Sequence, residues 1–184
     1  TAVLWVVSGG WVSSHEAVQP DNYAEFLRRG YTVFAVVHGS QPKYTIPEVI
    51  EDLHRAVRFI RDNADRFDVN PGRFGIAGGS AGGHLALMIA TAGRPGVLDA
   101  PDPLNRVSSR VQAVACFYPP TDFLNYGSPG RDVFQALREE LKPFNAPFDF
   151  HELDEEKKMF IPVADPDRRL QVLRDIAPVT HVSP

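Results

Sequence analysis

The sequence predicts an α/β fold, a mostly parallel sheet with helices on both faces. Three observations point to it. Short, β-branched apolar runs recur along the chain, and segments of helical periodicity separate them. Helix start and stop signals fall between the runs. A glycine-rich turn, Gly78–Gly83, joins one apolar run directly to an apolar helix.

The first run, Ala2–Val7, predicts a buried strand. Asp21 or Asn22 is placed to cap a short helix through Tyr23, Phe26 and Leu27, closed by Gly30 as a left-handed cap. Tyr31–Val37 predicts the second strand. Thr45-Ile46-Pro47-Glu48 has capping-box spacing and opens a helix to about residue 66. Val49, Ile50, Leu53, Ala56, Val57, Ile60 and Ala64 share its apolar face, and His54 falls on its polar side. Glu51–Arg55 and Arg58–Asp62 are spaced to pair on the opposite face. Asn70-Pro71-Gly72 predicts a turn into a third strand at Phe74–Ala77. The segment from His84 to Ala90 is apolar nearly all round and predicts a buried helix.

Residues 94–110 form a polar loop, and Val111–Tyr118 predicts a fourth strand with Cys116 as a buried filler. Residues 127–178 differ in character. They are punctuated by proline and charged, with helical patterns at 131–142, 154–160 and 166–176, and predict an insertion over the sheet. Asp165-Pro166 is a cap and first-turn pair for the last of these.

Composition narrows the function classes. The 184 residues carry 19 Lys+Arg against 23 Asp+Glu, a net charge of −4. A mildly acidic chain without a long basic run argues against a nucleic-acid partner. No apolar stretch approaches the roughly 20 residues of a membrane span. The single cysteine excludes an intrachain disulfide and a cysteine-rich metal site. His151 to Glu156 is a charged run without a second ligand cluster, so no metal site is expected. The chain enters an apolar run at once from Thr1 and stops at Val182-Ser183-Pro184 without a polar tail. This pattern predicts an internal piece of a longer chain, incomplete at both ends.

The chemistry concentrates at Gly78-Gly79-Ser80-Ala81-Gly82, a G-x-S-x-G between a strand and a helix. A serine on so sharp a turn adopts strained dihedrals and needs small neighbours, and its hydroxyl projects above the C-terminal edge of the sheet. The helix that follows aims its N-terminal amides at the same point. A phosphate-binding or merely tight glycine loop is the alternative, but neither the Walker lysine nor the G-x-G-x-x-G register is present. Ser80 is the expected nucleophile. Ser8-Gly9-Gly10-Trp11 follows the first strand, so the Gly9 and Gly10 amides, with that of Ala81, are the expected oxyanion donors. Trp11, His38 at the end of the second strand, and Asp122 are candidates for the pocket wall. His84, one turn past Ser80, is expected to brace the turn. The aromatics Phe123, Tyr126, Phe134, Phe144, Phe148 and Phe150 are expected either to line a pocket or to pack the insertion.

With these motifs the chain resembles the α/β-hydrolase superfamily, within it the bacterial esterases of the hormone-sensitive-lipase-like and bimodular-feruloyl-esterase-like groups. Those carry H-G-G-G-W after a sheet strand and G-G-S-A-G-G-H-L-A at the nucleophile. The second motif stands intact at residues 78–86. The first stands as Val7-Ser8-Gly9-Gly10-Trp11, with Val in place of the His that braces the loop in the family. The resemblance implies an α/β-hydrolase core over residues 1–126, a cap insertion over 127–178 and a return to the core at 179–184. It also implies that Ile176–Pro184 precedes the strand bearing the catalytic acid, so that the triad acid and histidine lie outside the 184 residues. The implied activity is serine hydrolysis of a small or polysaccharide-linked carboxylic ester, with no cofactor. A peptidase of the prolyl-oligopeptidase type and a non-catalytic binding protein of the same fold are the alternatives.

Overall fold

The computed structural model describes residues 1–40 and 43–182. Its centre is a four-stranded, all-parallel sheet: β1 (Ala2–Val7), β2 (Thr32–Val37), β3 (Phe74–Gly79) and β4 (Ala113–Phe117), in the order β2-β1-β3-β4. Val3 pairs with Val33 on one side and Gly75 on the other, and Gly75 pairs with Ala113. Right-handed crossovers in this order put α1 (Ala24–Arg28) on one face, and α2 (Ile46–Asp62) and α3 (Ala81–Thr91) on the other.

The core lies on the α2/α3 face. Ala2, Leu4 and Val6 of β1 and Phe74 and Ile76 of β3 are buried against Ile46, Val49, Leu53 and Val57 of α2 and Leu85, Met88 and Ile89 of α3. Both edges of the Thr45–Glu48 capping box form, with the Thr45 amide donating to Glu48 at 2.8 Å. The helix ends at Asp62 rather than near residue 66, and a single 3-10 turn follows at Asp65–Phe67. The expectation of helices on both faces holds only in part. α1, five residues long, covers β1 and β2, while Gly75, Ala113 and Ala115 border an open apolar hollow of about 420 Å³ with Phe26 and Tyr31. Cys116, on the edge strand β4, is half-buried and not enclosed.

Two further expectations about helices are corrected. Neither Asp21 nor Asn22 caps α1, because Pro20–Tyr23 winds a 3-10 turn that runs straight into it; Gly30 does take the left-handed conformation, with φ +76°. The pairs Glu51–Arg55 and Arg58–Asp62 do not form. Glu51 binds Arg94, Arg55 binds Asp102, and Arg58 donates to the Val107 carbonyl and Asn105, so the polar side of α2 holds the 94–110 loop. That loop also covers His54, which is fully buried with Nδ1 2.8 Å from Ser109 Oγ.

Residues 127–178 contain α4 (Val133–Glu139), an antiparallel hairpin of β5 (His151–Asp154) and β6 (Met159–Pro162), and α5 (Pro166–Asp175). The hairpin replaces the helix expected over 154–160. Asp154 Oδ1 accepts from the Glu156 and Lys157 amides at 3.0 and 2.9 Å, and Lys158 turns left-handed at φ +51°. A short polar side chain that bonds the backbone two and three residues on closes a turn and competes with helix formation. Asp165 caps α5 as expected, accepting from Arg168 N at 2.7 Å. A 3-10 turn, Pro178–His181, ends the described chain, and the expected return to the core at 179–184 lies partly outside the described residues.

Candidate active site

Ser80 sits between β3 and α3 with φ 53° and ψ −124°, a conformation that non-glycine residues rarely adopt. Three contacts keep it there. Its amide donates to the Phe117 carbonyl on β4 at 2.9 Å, and its carbonyl accepts from His84 N at 3.0 Å in the first turn of α3. The third is steric. A Cβ on Gly78 would lie 2.5 Å from the Gly82 backbone, and one on Gly82 would lie 2.6 Å from the Val6 carbonyl. Only hydrogen at both positions lets the helix start this close to the strand. Among the described residues, no side chain hydrogen bonds the Ser80 hydroxyl.

The turn after β1 runs alongside. Gly10 and Trp11 both have positive φ, 55° and 61°. The Gly9 amide donates to the Val12 carbonyl at 3.0 Å. In this arrangement its N–H closes the turn. Among the described residues, the Gly10 and Ala81 amides have no protein acceptor. Gly10 borders the same cavity as Ser80, and Ala81 opens α3, where the helix dipole adds to its amide.

His84 ties the two turns together. Trp11 Nε1–H donates to His84 Nδ1 at 2.9 Å, which leaves Nε2–H to donate to the Ile176 carbonyl at 2.7 Å. The ring is fully buried, and burial pushes its pKa down to about 4, only partly offset by the bond to Ile176. It is a neutral brace. His38 does not border the cavity that Ser80 shares with Gly10 and Trp11, and bonds Ser8. Asp122 borders the cavity, but its carboxylate is occupied by the Leu124 and Asn125 amides and the Asn125 side chain, at 2.9–3.0 Å. Burial works to raise its pKa; those hydrogen bonds outweigh it and hold the carboxyl below the usual range.

The cavity in front of Ser80 has a volume of about 540 Å³. It is lined by Gly10, Trp11 and Ser80, by Tyr118 to Asp122, and by Leu137, Phe144 and Phe148 from residues 127–178. The aromatics divide their roles. Phe123, Phe134, Phe148 and Phe150 belong to the core, Phe148 packing edge-on against Trp11 with ring centroids 5.1 Å apart, whereas Phe144 sits over Gly10. Tyr118 escaped notice in the sequence. It is left-handed at φ 42°, exposed, and borders both this cavity and a second hollow on the other side of Ser80. A tyrosine before Pro-Pro carries no signal of positive φ.

Three comparisons bear on this arrangement. The family model described as BD-FAE matches residues 1–183. A probable carboxylic ester hydrolase, LipM of Mycobacterium tuberculosis, is 26% identical over 98% of this chain and 38% of its own length. An acetylxylan esterase of Xylanibacter ruminicola is 34% identical over 49% of this chain and 19% of its own length. The chain spans about a third of the length of the curated relatives it matches. Among solved structures, a truncated carbohydrate esterase from gut microbiota superposes with a TM-score of 0.71 at 21% identity, over 99% of this chain and 62% of that one.

Proposed function

The chain belongs to the BD-FAE family and has the α/β-hydrolase fold, and on that premise we propose that it carries the nucleophile and oxyanion-binding half of a serine carboxylic-ester hydrolase. The conformation of Ser80 carries this reading: a strained serine between strand and helix, its hydroxyl unengaged by any described side chain, facing a cavity of about 540 Å³. In the proposed reaction Ser80 Oγ attacks the ester carbonyl as a base takes its proton. The tetrahedral oxyanion accepts hydrogen bonds from the Gly10 and Ala81 amides, the alcohol leaves with a proton, and water cleaves the acyl-enzyme. No cofactor enters these steps.

The base is not assigned to any histidine described here. His84 is locked between Trp11 and Ile176, His54 lies under the 94–110 loop, and His38 holds Ser8. His15, His151 and His181 are exposed, the last two bonded to backbone carbonyls. In the proposed enzyme the acid and histidine of the triad come from outside the 184 residues. Residues 127–178 act as a cap that roofs the site. A small acyl group on a sugar suits the aromatic walls and the polar Thr121 and Asn125 rim, and the acetylxylan and carbohydrate esterases among the relatives support it.

A fluorophosphonate probe and an ester panel on the intact protein test this. Ser80→Ala is expected to abolish labelling and to lower turnover of nitrophenyl acetate and acetylated xylan by at least about a thousand-fold. Labelling that survives Ser80→Ala overturns the nucleophile. Faster cleavage of aminoacyl anilides than of esters makes the protein a peptidase, and a wild-type protein that neither labels nor turns over is a binding protein.

A further inference from the structure

Ser8 is held from two sides where the chain leaves β1. Its carbonyl accepts from the Gly82 amide on the nucleophile helix at 3.3 Å, and its hydroxyl lies 2.8 Å from His38 Nε2. His38 Nδ1 is 2.6 Å from the Gly39 carbonyl, which can only accept. Nδ1 therefore carries the proton, and Nε2 is the acceptor of the Ser8 hydroxyl. His38 is only 7% exposed.

The other end of the same turn is tied to the same place. The Ser13 hydroxyl donates to the Val7 carbonyl and accepts from the His38 amide at 3.3 Å. The Ser13 amide donates to Ser40 Oγ at 2.7 Å, and the Ser40 hydroxyl returns to the Ser13 carbonyl at 3.1 Å. Gly39 N–H in turn donates to the Asp52 carboxylate on α2 at 3.1 Å. Residues 8–13 are thus clamped at both ends to the C-terminal end of β2, and Gly10, with its unpaired amide, lies between the clamps.

We propose that His38 is a positioning residue for the oxyanion-binding turn: through the Ser8 hydroxyl it sets the direction of the Gly10 amide relative to Ser80. The proposal rests on the acyl-transfer reading above. It explains a buried neutral histidine that neither borders the Ser80 cavity nor belongs to the apolar core. Burial lowers its pKa, against the opposing bond to Gly39 and the charge of Asp52, and this keeps Nε2 an acceptor near neutral pH. An amide swung off the developing oxyanion contributes little to the transition state and leaves ground-state binding nearly unchanged.

The test compares His38→Ala, His38→Gln, Ser8→Ala and the Ala/Ala double variant of the intact protein on nitrophenyl acetate. His38→Ala and Ser8→Ala are each expected to lose about ten-fold in kcat with KM within about two-fold. The double variant should lose no more than either single, because both remove one contact. Gln, whose Oε1 reaches the place of Nε2, should restore most of kcat. Fluorophosphonate should still label Ser80 to completion in every variant, more slowly in the Ala variants. Unchanged kcat in the single variants, losses that multiply in the double, or a Gln variant as slow as Ala overturns the positioning role. Full turnover by Ser80→Ala is a different result, which removes the nucleophile and with it the reaction His38 would serve.

Discussion

Ser80 and its glycines show how far single residues can be read before any fold is known. A G-x-S-x-G between a strand and a helix needs the serine in a left-handed conformation and its neighbours without side chains, and the structure has φ 53° at Ser80 with backbone 2.5–2.6 Å from any Cβ on Gly78 or Gly82. The constraint is local, so it was legible. The atom a Cβ at Gly82 meets is the Val6 carbonyl of the central strand, which has no room to give. Gly82→Ala is therefore expected to cost about 1–3 kcal/mol, the usual range for overpacking against rigid neighbours. Urea unfolding measures it; a midpoint within error of wild type would mean that α3 can slide off β1. The His38–Ser8 bond was not legible. It joins the ends of two strands 30 residues apart, and nothing in the local pattern distinguishes an imidazole that faces a cavity from one that faces the neighbouring turn.

At the scale of elements, periodicity located the four sheet strands, α2, α3 and α5, and failed where side chains answered to distant backbone. The polar side of α2 is the clearest case. Spacing along a helix suggested pairs within α2, worth a few tenths of a kcal/mol each, but the 94–110 loop offered carbonyls that needed donors. Arg61 meets two of them, Arg110 at 2.6 Å and Ser108, and through Nε it also reaches the Pro71 carbonyl in the turn before β3 at 2.9 Å. Its guanidinium also lies 4.5 Å from the Phe74 ring centroid. Glu51, by contrast, makes a bidentate but half-exposed pair with Arg94. Hydrogen bonds from a charged donor to carbonyls outweigh an exposed ion pair. Arg61→Ala should therefore cost about 2–3 kcal/mol, and Glu51→Ala less than about 1 kcal/mol. Chemical denaturation of the two variants side by side checks the order. Equal losses would show that the loop is held by its ion pairs and not by its satisfied carbonyls. The helix expected over 154–160 failed for a local reason instead: the Asp154 carboxylate accepts from the Glu156 and Lys157 amides and closes a turn.

Taken whole, the molecule places its ionisable groups so that the neutrality of buried histidines is part of folding. His84 joins both turns of the site, His54 lies under the 94–110 loop, both are fully buried, and burial lowers each to about 4. His54 also feels Arg94 and Arg58, which push in the same direction, against Glu51. Its Nε2 has no partner, so a charged ring there would be buried with an unanswered proton. In the unfolded chain both rings titrate near 6.5. Above that pH the two states bind equal numbers of protons at these sites and the full stability is present. As the pH falls from about 6.5 to 4 the unfolded state takes up protons that the folded state refuses, so stability falls by on the order of 1 kcal/mol per pH unit for each histidine. Below about 4 the folded rings protonate too and this loss levels off. The carboxylates of Asp122, Asp102 and Asp154, held below their ordinary values by hydrogen bonds, add their own loss only at still lower pH. Urea unfolding between pH 7.5 and 4.5 should thus show a steady decline that begins near 6.5, before any carboxylate titrates. In His54→Asn, whose amide still reaches Ser109 and leaves no orphaned ring nitrogen, the slope should become shallower without vanishing, because His84 and His38 still resist protonation. A stability that is flat down to pH 5 would mean that both rings accept a proton in the folded state, and that the bonds from Trp11 to His84 and from His54 to Ser109 rearrange to allow it.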